Sequence, residues 1–207
     1  MWDIEQVTDE ELDRRRSRYD PLTASIRELI DAALGTDARD DELQLATAEV
    51  EAAAARLRAH PRDGAFRALR TDHGRSVTWG NLGDGLRNPL APPLAVRADG
   101  AGRGLVDVEL GAPYEGASGL LHGGYAALVI DHLFGYVASR GSVDSVAVTG
   151  TITLRYHRPT RLGLLHAEAE IQRTEGRKIF LTGHLGDADG STVTAEGLFI
   201  ELRQPGA

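Results

Sequence analysis

Asp131 lies within Ala126-Ala127-Leu128-Val129-Ile130-Asp131-His132-Leu133-Phe134, an almost wholly apolar run. Burying an ionised carboxylate costs several kcal/mol unless it is paired or hydrogen-bonded. A carboxylate kept there is either satisfied by a neighbour or turned toward a polar site. Just upstream stands Leu121-His122-Gly123-Gly124. Two glycines let a ligand approach the backbone closely. If a helix begins there, its first N–H groups are unpaired and carry the positive end of the macrodipole, so they can hold an oxyanion. A carboxylate, a water and an oxyanion donor are enough to hydrolyse an activated acyl group without a metal. Each feature alone also has a plain reading, a solvated carboxylate or a tight turn into a helix.

The elements that must position these residues can be read from pattern. Gly123 to Ser139 is apolar nearly all round, which predicts a buried helix. Before it, Leu94 to Arg97 and Gly104 to Leu110 read as strands. After it come four more, at about Ser145 to His157, Leu164 to Arg173, Lys178 to Asp187 and Thr192 to Leu202. Short turns such as Glu175-Gly176-Arg177 favour antiparallel pairing. A curved antiparallel sheet around one buried helix is the economical α+β solution. In the strand after the helix, Thr149, Thr151 and Thr153 alternate with apolar residues, which predicts one threonine-rich face.

Residues 1 to 61 read as a helical extension. Asp20-Pro21 predicts an N-cap and first helical position, Leu22, Ile26, Leu29, Ile30 and Ala33 a stripe, and Gly35 the end. A shorter charged helix is expected over residues 8 to 18, and another from about Asp41 to His60, ended by Pro61. These helices are expected to pack on the C-terminal domain or on a partner. Residues 62 to 87, rich in Gly, Asn and Arg, read as a linker with a short strand near Val77 to Trp79, and residues 88 to 207 as the main domain.

His122-Gly123-Gly124, Asp131 and Gly135 together resemble the HGG…D…G signature of hotdog-fold thioesterases of the phenylacetate-pathway (PaaI-like) group. The run Val148-Thr149-Gly150-Thr151 through Tyr156-His157-Arg158-Pro159 is similar to that family's strand, as are Glu175 to Lys178 and Ala195 to Ile200. The pattern is nearest to the thioesterase-superfamily-member branch and extends from about residue 88 to 203. The resemblance implies a hotdog fold and hydrolysis of an acyl-CoA thioester to free acid and CoA, with no cofactor beyond the CoA of the substrate. It implies Asp131 as nucleophile or general base. Thr149 would orient the water or the carboxylate, with Thr151 as the alternative because the preceding loop varies in length. Gly123 or Gly124 would supply the oxyanion N–H, and His122 would fix that loop or touch the thioester. Asn88, Tyr125, Gly135 and Thr151 would lie at the substrate. Leu120, Leu128, Phe134 and Tyr136 join Tyr125 as expected pocket walls. Arg177 and Lys178 at a hairpin, with Arg155, Arg158 and Arg161, are candidates to hold CoA phosphates.

Gly124 and Asp131 are seven residues apart, about 10.5 Å along a helix. One thioester carbonyl cannot lie roughly 3 Å from both. Two antiparallel helices across a two-fold axis would bring them together, so the spacing predicts an obligate homodimer with shared sites, alone or within a homotetramer. The alternatives to an acyl-CoA hydrolase are a non-catalytic module that binds acyl-CoA or an acyl carrier, and a thioesterase acting on acyl-carrier-protein substrates.

Composition narrows the rest. A net charge of −8 argues against a broad nucleic-acid surface. The absence of Cys excludes disulfides, thiolate metal sites and cysteine nucleophiles. The seven histidines show no close metal-ligand spacing in the linear sequence, so no metal is expected. With neither a membrane-length apolar run nor a signal-peptide pattern at Met1-Trp2-Asp3, the expectation is a cytoplasmic protein without a membrane partner.

Overall fold

The computed structural model describes residues 4–61, 68–99 and 101–202. The acidic start at residues 1–3, the expected beginning of the linker at 62–67 and the chain end at 203–207 lie outside the described residues. In chain order the elements are β1 (Ile4–Val7), α1 (Asp9–Leu34), α2 (Asp40–Arg58), β2 (Ala68–Thr71), β3 (Ser76–Thr78), β4 (Arg97–Ala98) and β5 (Arg103–Leu110). Then follow a short 3-10 turn, α3 (Gly123–Ala138), β6 (Ala147–Tyr156), β7 (Gly163–Glu175), β8 (Lys178–Asp187) and β9 (Gly190–Glu201).

Six strands form one antiparallel sheet in the order β4-β5-β7-β8-β9-β6, and α3 packs against it. This is the expected hotdog architecture. The inward residues of β5 and β7, among them Val106, Val108, Leu165 and Ala167, are buried, and their neighbours along each strand are exposed or half-buried. Val129, Leu133, Phe134 and Val137 of α3 fill the space between. Gly183 and Gly197 are needed under Phe134, since a Cβ at either would lie 2.6 Å from its ring. The helix is buried on that side only. Asp131, His132, Gly135 and Tyr136, on its other side, are half-buried, which corrects the expectation of burial all round.

The N-terminal part departs further from the sequence reading. Asp20 does not cap a helix. One helix, α1, runs unbroken through Pro21 and is capped by Thr8, whose side chain accepts from the Glu11 N–H at 3.1 Å. Proline removes one helical hydrogen bond, but contacts on both sides of it hold α1 to the body. Leu12 is fully buried with Leu69 and Trp79, and Tyr19 meets Trp79 edge-on at 5.7 Å. Beyond Pro21, Arg27 donates to the carbonyls of Asn88 and Ala91 at 3.2 and 3.1 Å. The helical extension also begins with a strand, because β1 pairs in parallel with β2, which in turn pairs with β3. Residues 68–78 are therefore part of a small sheet rather than a linker with one strand. Leu94 to Val96 are not in a strand, and only Arg97–Ala98 pair with β5. Helix α2 has no fully buried residue, so the expected packing on the main domain is not formed among the described residues.

Candidate active site

Helix α3 opens with the expected glycines. His122 is its N-cap, and His122 Nδ1 accepts from the Gly124 N–H at 3.0 Å. That bond places the proton of a neutral imidazole on Nε2. It also occupies the Gly124 amide. Among the described residues the Gly123 N–H has no acceptor, so Gly123 is the free donor of the pair. The carbonyl of the same peptide unit, that of His122, accepts from Tyr125 and Ala126 at 2.9 and 3.2 Å. Acceptance there polarises the Gly123 N–H. Tyr156 adds a hold that sequence reasoning missed, since its hydroxyl donates to the Gly123 carbonyl at 2.8 Å. The sequence signal was its place in the family-like strand run, which gave it no role.

Two turns further on, Asp131 Oδ1 accepts from Thr149 Oγ1 at 2.7 Å. A β-bulge explains why this threonine is chosen. Thr149 pairs with Phe199, Thr151 pairs with Leu198, and Gly150 is the extra residue between them. An inserted residue reverses which face the following side chains occupy. Thr149 therefore points with Ile152 and Leu154 toward α3. Thr151 and Thr153 point outward, opposite Leu198 and Glu196. The expected single threonine face is split, and Thr151 lies away from Asp131.

Beside the Asp131–Thr149 pair is a cavity of about 420 Å³. Leu128, Asp131, Gly135 and Tyr136 of α3 form one wall, and Val148 and Thr149 another. Ser76 to Thr78 and Asn81 to Asp84 complete it from the N-terminal side. Burial pushes the Tyr136 phenol above its ordinary pKa, so it stays a neutral hydroxyl. His132, on the same wall, packs so closely on Gly83 that a Cβ there would sit 2.1 Å from the ring. Its Nε2 is 3.6 Å from Asp84 Oδ2.

The other expected contacts divide. Leu128, Gly135 and Tyr136 line the cavity, whereas Phe134 is fully buried against Phe199 and cannot. Tyr125 stacks edge-on with Tyr114 at 4.9 Å and packs on the core, and Leu120 is in a bridge with Arg161. Neither lines the cavity. Asn88 uses its side chain on its own loop, accepting from the Leu90 N–H at 3.1 Å. Arg158 is engaged in a two-point ion pair with Asp187 at 2.7 and 2.9 Å, so it is not a free phosphate ligand. Arg161 pairs with Asp189 at 3.1 Å. Arg177 and Lys178 are exposed, and Lys178 lies in register with Ile200, which pairs with Val148. That hairpin is thus two strands across the sheet from the Thr149 end of β6. Arg155 is exposed on the outward face, in register with Thr194.

The sequence profile of the thioesterase superfamily matches residues 118–194, which include every element of this site except the 76–84 wall and Phe199. Acyl-coenzyme A thioesterase THEM4 of Bos taurus is 33% identical over 96 residues, covering 44% of this chain and 38% of that protein. The chain therefore spans about two fifths of the length of the curated relatives it matches. A crystal structure of a thioesterase superfamily protein is similar over 88% of this chain and 94% of its own, with TM-score 0.77 and 33% identity. A conserved protein of Pseudomonas aeruginosa shares the fold over 53% of this chain and 89% of its own, with TM-score 0.50 and 22% identity.

Proposed function

From the premise that this chain belongs to the thioesterase superfamily, we propose that it hydrolyses an acyl-CoA thioester to the free acid and CoA. The observation that carries this reading is the Thr149–Asp131 hydrogen bond at the wall of a cavity large enough for an acyl group. Asp131 Oδ2 makes no hydrogen bond among the described residues and can take a proton from water. Thr149 holds the carboxylate in orientation. Water adds to the thioester carbon as Asp131 accepts its proton. The carbonyl oxygen becomes an oxyanion, and its collapse expels the CoA thiolate, which takes up the proton held by Asp131 to leave as the thiol and restores the carboxylate.

The oxyanion donor belongs to a second copy. Gly123 and Asp131 are separated by about 12 Å along α3, too far to serve one carbonyl. Two features favour a two-fold pairing of copies. Strand β6 ends the sheet, so one of its edges is unpaired among the described residues. Gly123 and Gly124 are exposed at the head of α3. In this reading the Gly123 N–H of one copy faces Asp131 of the other, and Tyr156 and His122 fix the peptide that carries it. Arg177 and Lys178 are the cations left to meet CoA phosphates.

The test is a panel of acyl-CoAs assayed for free thiol with wild type and Asp131→Asn in parallel. Loss of the general base lowers turnover by about 10²- to 10⁴-fold, with the oligomer intact by light scattering. Binding of acyl-CoA without thiol release by wild type would instead identify a binding module.

A further inference from the structure

The face of the sheet turned away from α3 carries a second group of side chains. In β7, Leu165, Ala167 and Ala169 are buried, so His166 and Glu168 between them project outward. Glu168 is directly opposite His184 of β8. Two residues spaced i, i+2 on one strand with a cross-strand neighbour converge on one point above a sheet. Here the ligand atoms of His166, Glu168 and His184 all lie within 4.8 Å of one another, and His166 Nε2 is 3.0 Å from Glu168 Oε1. Around a tetrahedral zinc with bonds of about 2.0–2.2 Å, ligand atoms sit about 3.3–3.5 Å apart. Small rotations of these solvent-accessible side chains close that difference.

A carboxylate stands behind the cluster. His166 Nδ1 is 2.6 Å from Asp107 Oδ1, and Asp107 is held from its other oxygen by Arg97. A carboxylate on the far nitrogen fixes the ring and directs the near nitrogen to a metal, the usual arrangement behind metal-bound histidines. Glu168 and His184 also form part of the wall of a surface hollow of about 520 Å³, which gives room for an ion and a bound water.

We propose that His166, Glu168 and His184 form a binding site for a divalent transition metal of the zinc class, with Asp107 as the positioning carboxylate. Two imidazoles and one carboxylate suit zinc, nickel or cobalt over calcium or magnesium. The ion takes the place between His166 Nε2 and Glu168, and any proton held there is released to solvent. The fourth position faces solvent and takes water. The site is separated from Asp131 by the sheet, so the ion is not part of the thioester chemistry.

The experiment is calorimetric titration of untagged protein with zinc alone, repeated with cobalt and monitored by its visible d–d absorption. One saturable equivalent per chain is expected. His184→Ala and His166→Ala should abolish it, and Asp107→Asn should weaken it about 10-fold or more. His73→Ala, at a second group of possible ligands among the described residues (Asp9, Asp72 and His73), should leave it unchanged. Wild type itself gives an independent reading through histidine side-chain NMR, where zinc should shift the His166 and His184 imidazoles and leave that of His73 in place. Absence of a saturable equivalent, or binding that survives loss of both His166 and His184, overturns the proposal.

Discussion

Replacing Thr149 with Val removes one hydroxyl at nearly constant volume, and with it the 2.7 Å bond to Asp131. A hydrogen bond to a charged group contributes about 1.5–3 kcal/mol. The threonine is exposed and the carboxylate half-buried, so solvent competes and the lower end applies, roughly 1.5–2 kcal/mol. If the carboxylate must be held to activate water, that energy appears in the transition state. It corresponds to about a 10- to 30-fold fall in kcat, with KM for acyl-CoA little changed. The assay is steady-state thiol release for Thr149→Val, Asp131→Asn and the double variant. Coupling is the discriminating quantity: once Asp131 is Asn, losing the Thr149 hydroxyl should add almost nothing. Thr151→Val serves as the control, because its side chain is on the other face of β6. Fully additive effects of the two variants, or a larger loss from Thr151→Val than from Thr149→Val, would refute the reasoning.

Two further outcomes follow from particular bonds. Tyr156→Phe removes the donor to the Gly123 carbonyl while leaving the ring. A neutral hydrogen bond of this kind contributes about 0.5–1.5 kcal/mol, so kcat should drop about 2- to 10-fold with thermal stability close to wild type, as read by parallel kinetics and melting curves. Asp187 is held well below the ordinary carboxylate range, first by the Arg158 hydrogen bonds and then by the backbone N–H groups of Arg161 and Asp189. A depressed folded-state pKa stabilises above the unfolded value near 3.9, and that contribution is lost as pH falls toward the folded value. Asp187→Asn should therefore lower Tm at pH 7, with the gap to wild type narrowing below about pH 4, as followed by circular dichroism melts across pH.

Much of the catalytic vocabulary was legible in the chain itself. A carboxylate inside an apolar helix, two glycines at its head and a regular spacing of β patterns follow from local rules of burial and period, and those rules hold wherever one element packs on another. The N-terminal half was less legible. Asp20-Pro21 is a good helix start by local chemistry, yet Leu12, Tyr19 and Arg27 bind both sides of that point to the body and carry α1 through it. Ala68 to Thr71 lies in a stretch that reads as loop, and it becomes a strand because β1 and β3 flank it.

The sequence by itself determined the wrapped-helix fold and the position of Asp131 on its helix, because hydrophobic period is a property of consecutive residues. Tertiary structure alone decided which threonine meets Asp131, which glycine amide is free, and that His166 and His184 share a surface. A bulge at Gly150, an imidazole folding back on Gly124, and the register of β7 on β8 set those outcomes. The bulge and the register relate residues that the chain brings together only on folding, and the imidazole contact, though two residues apart, forms only once α3 starts at Gly123.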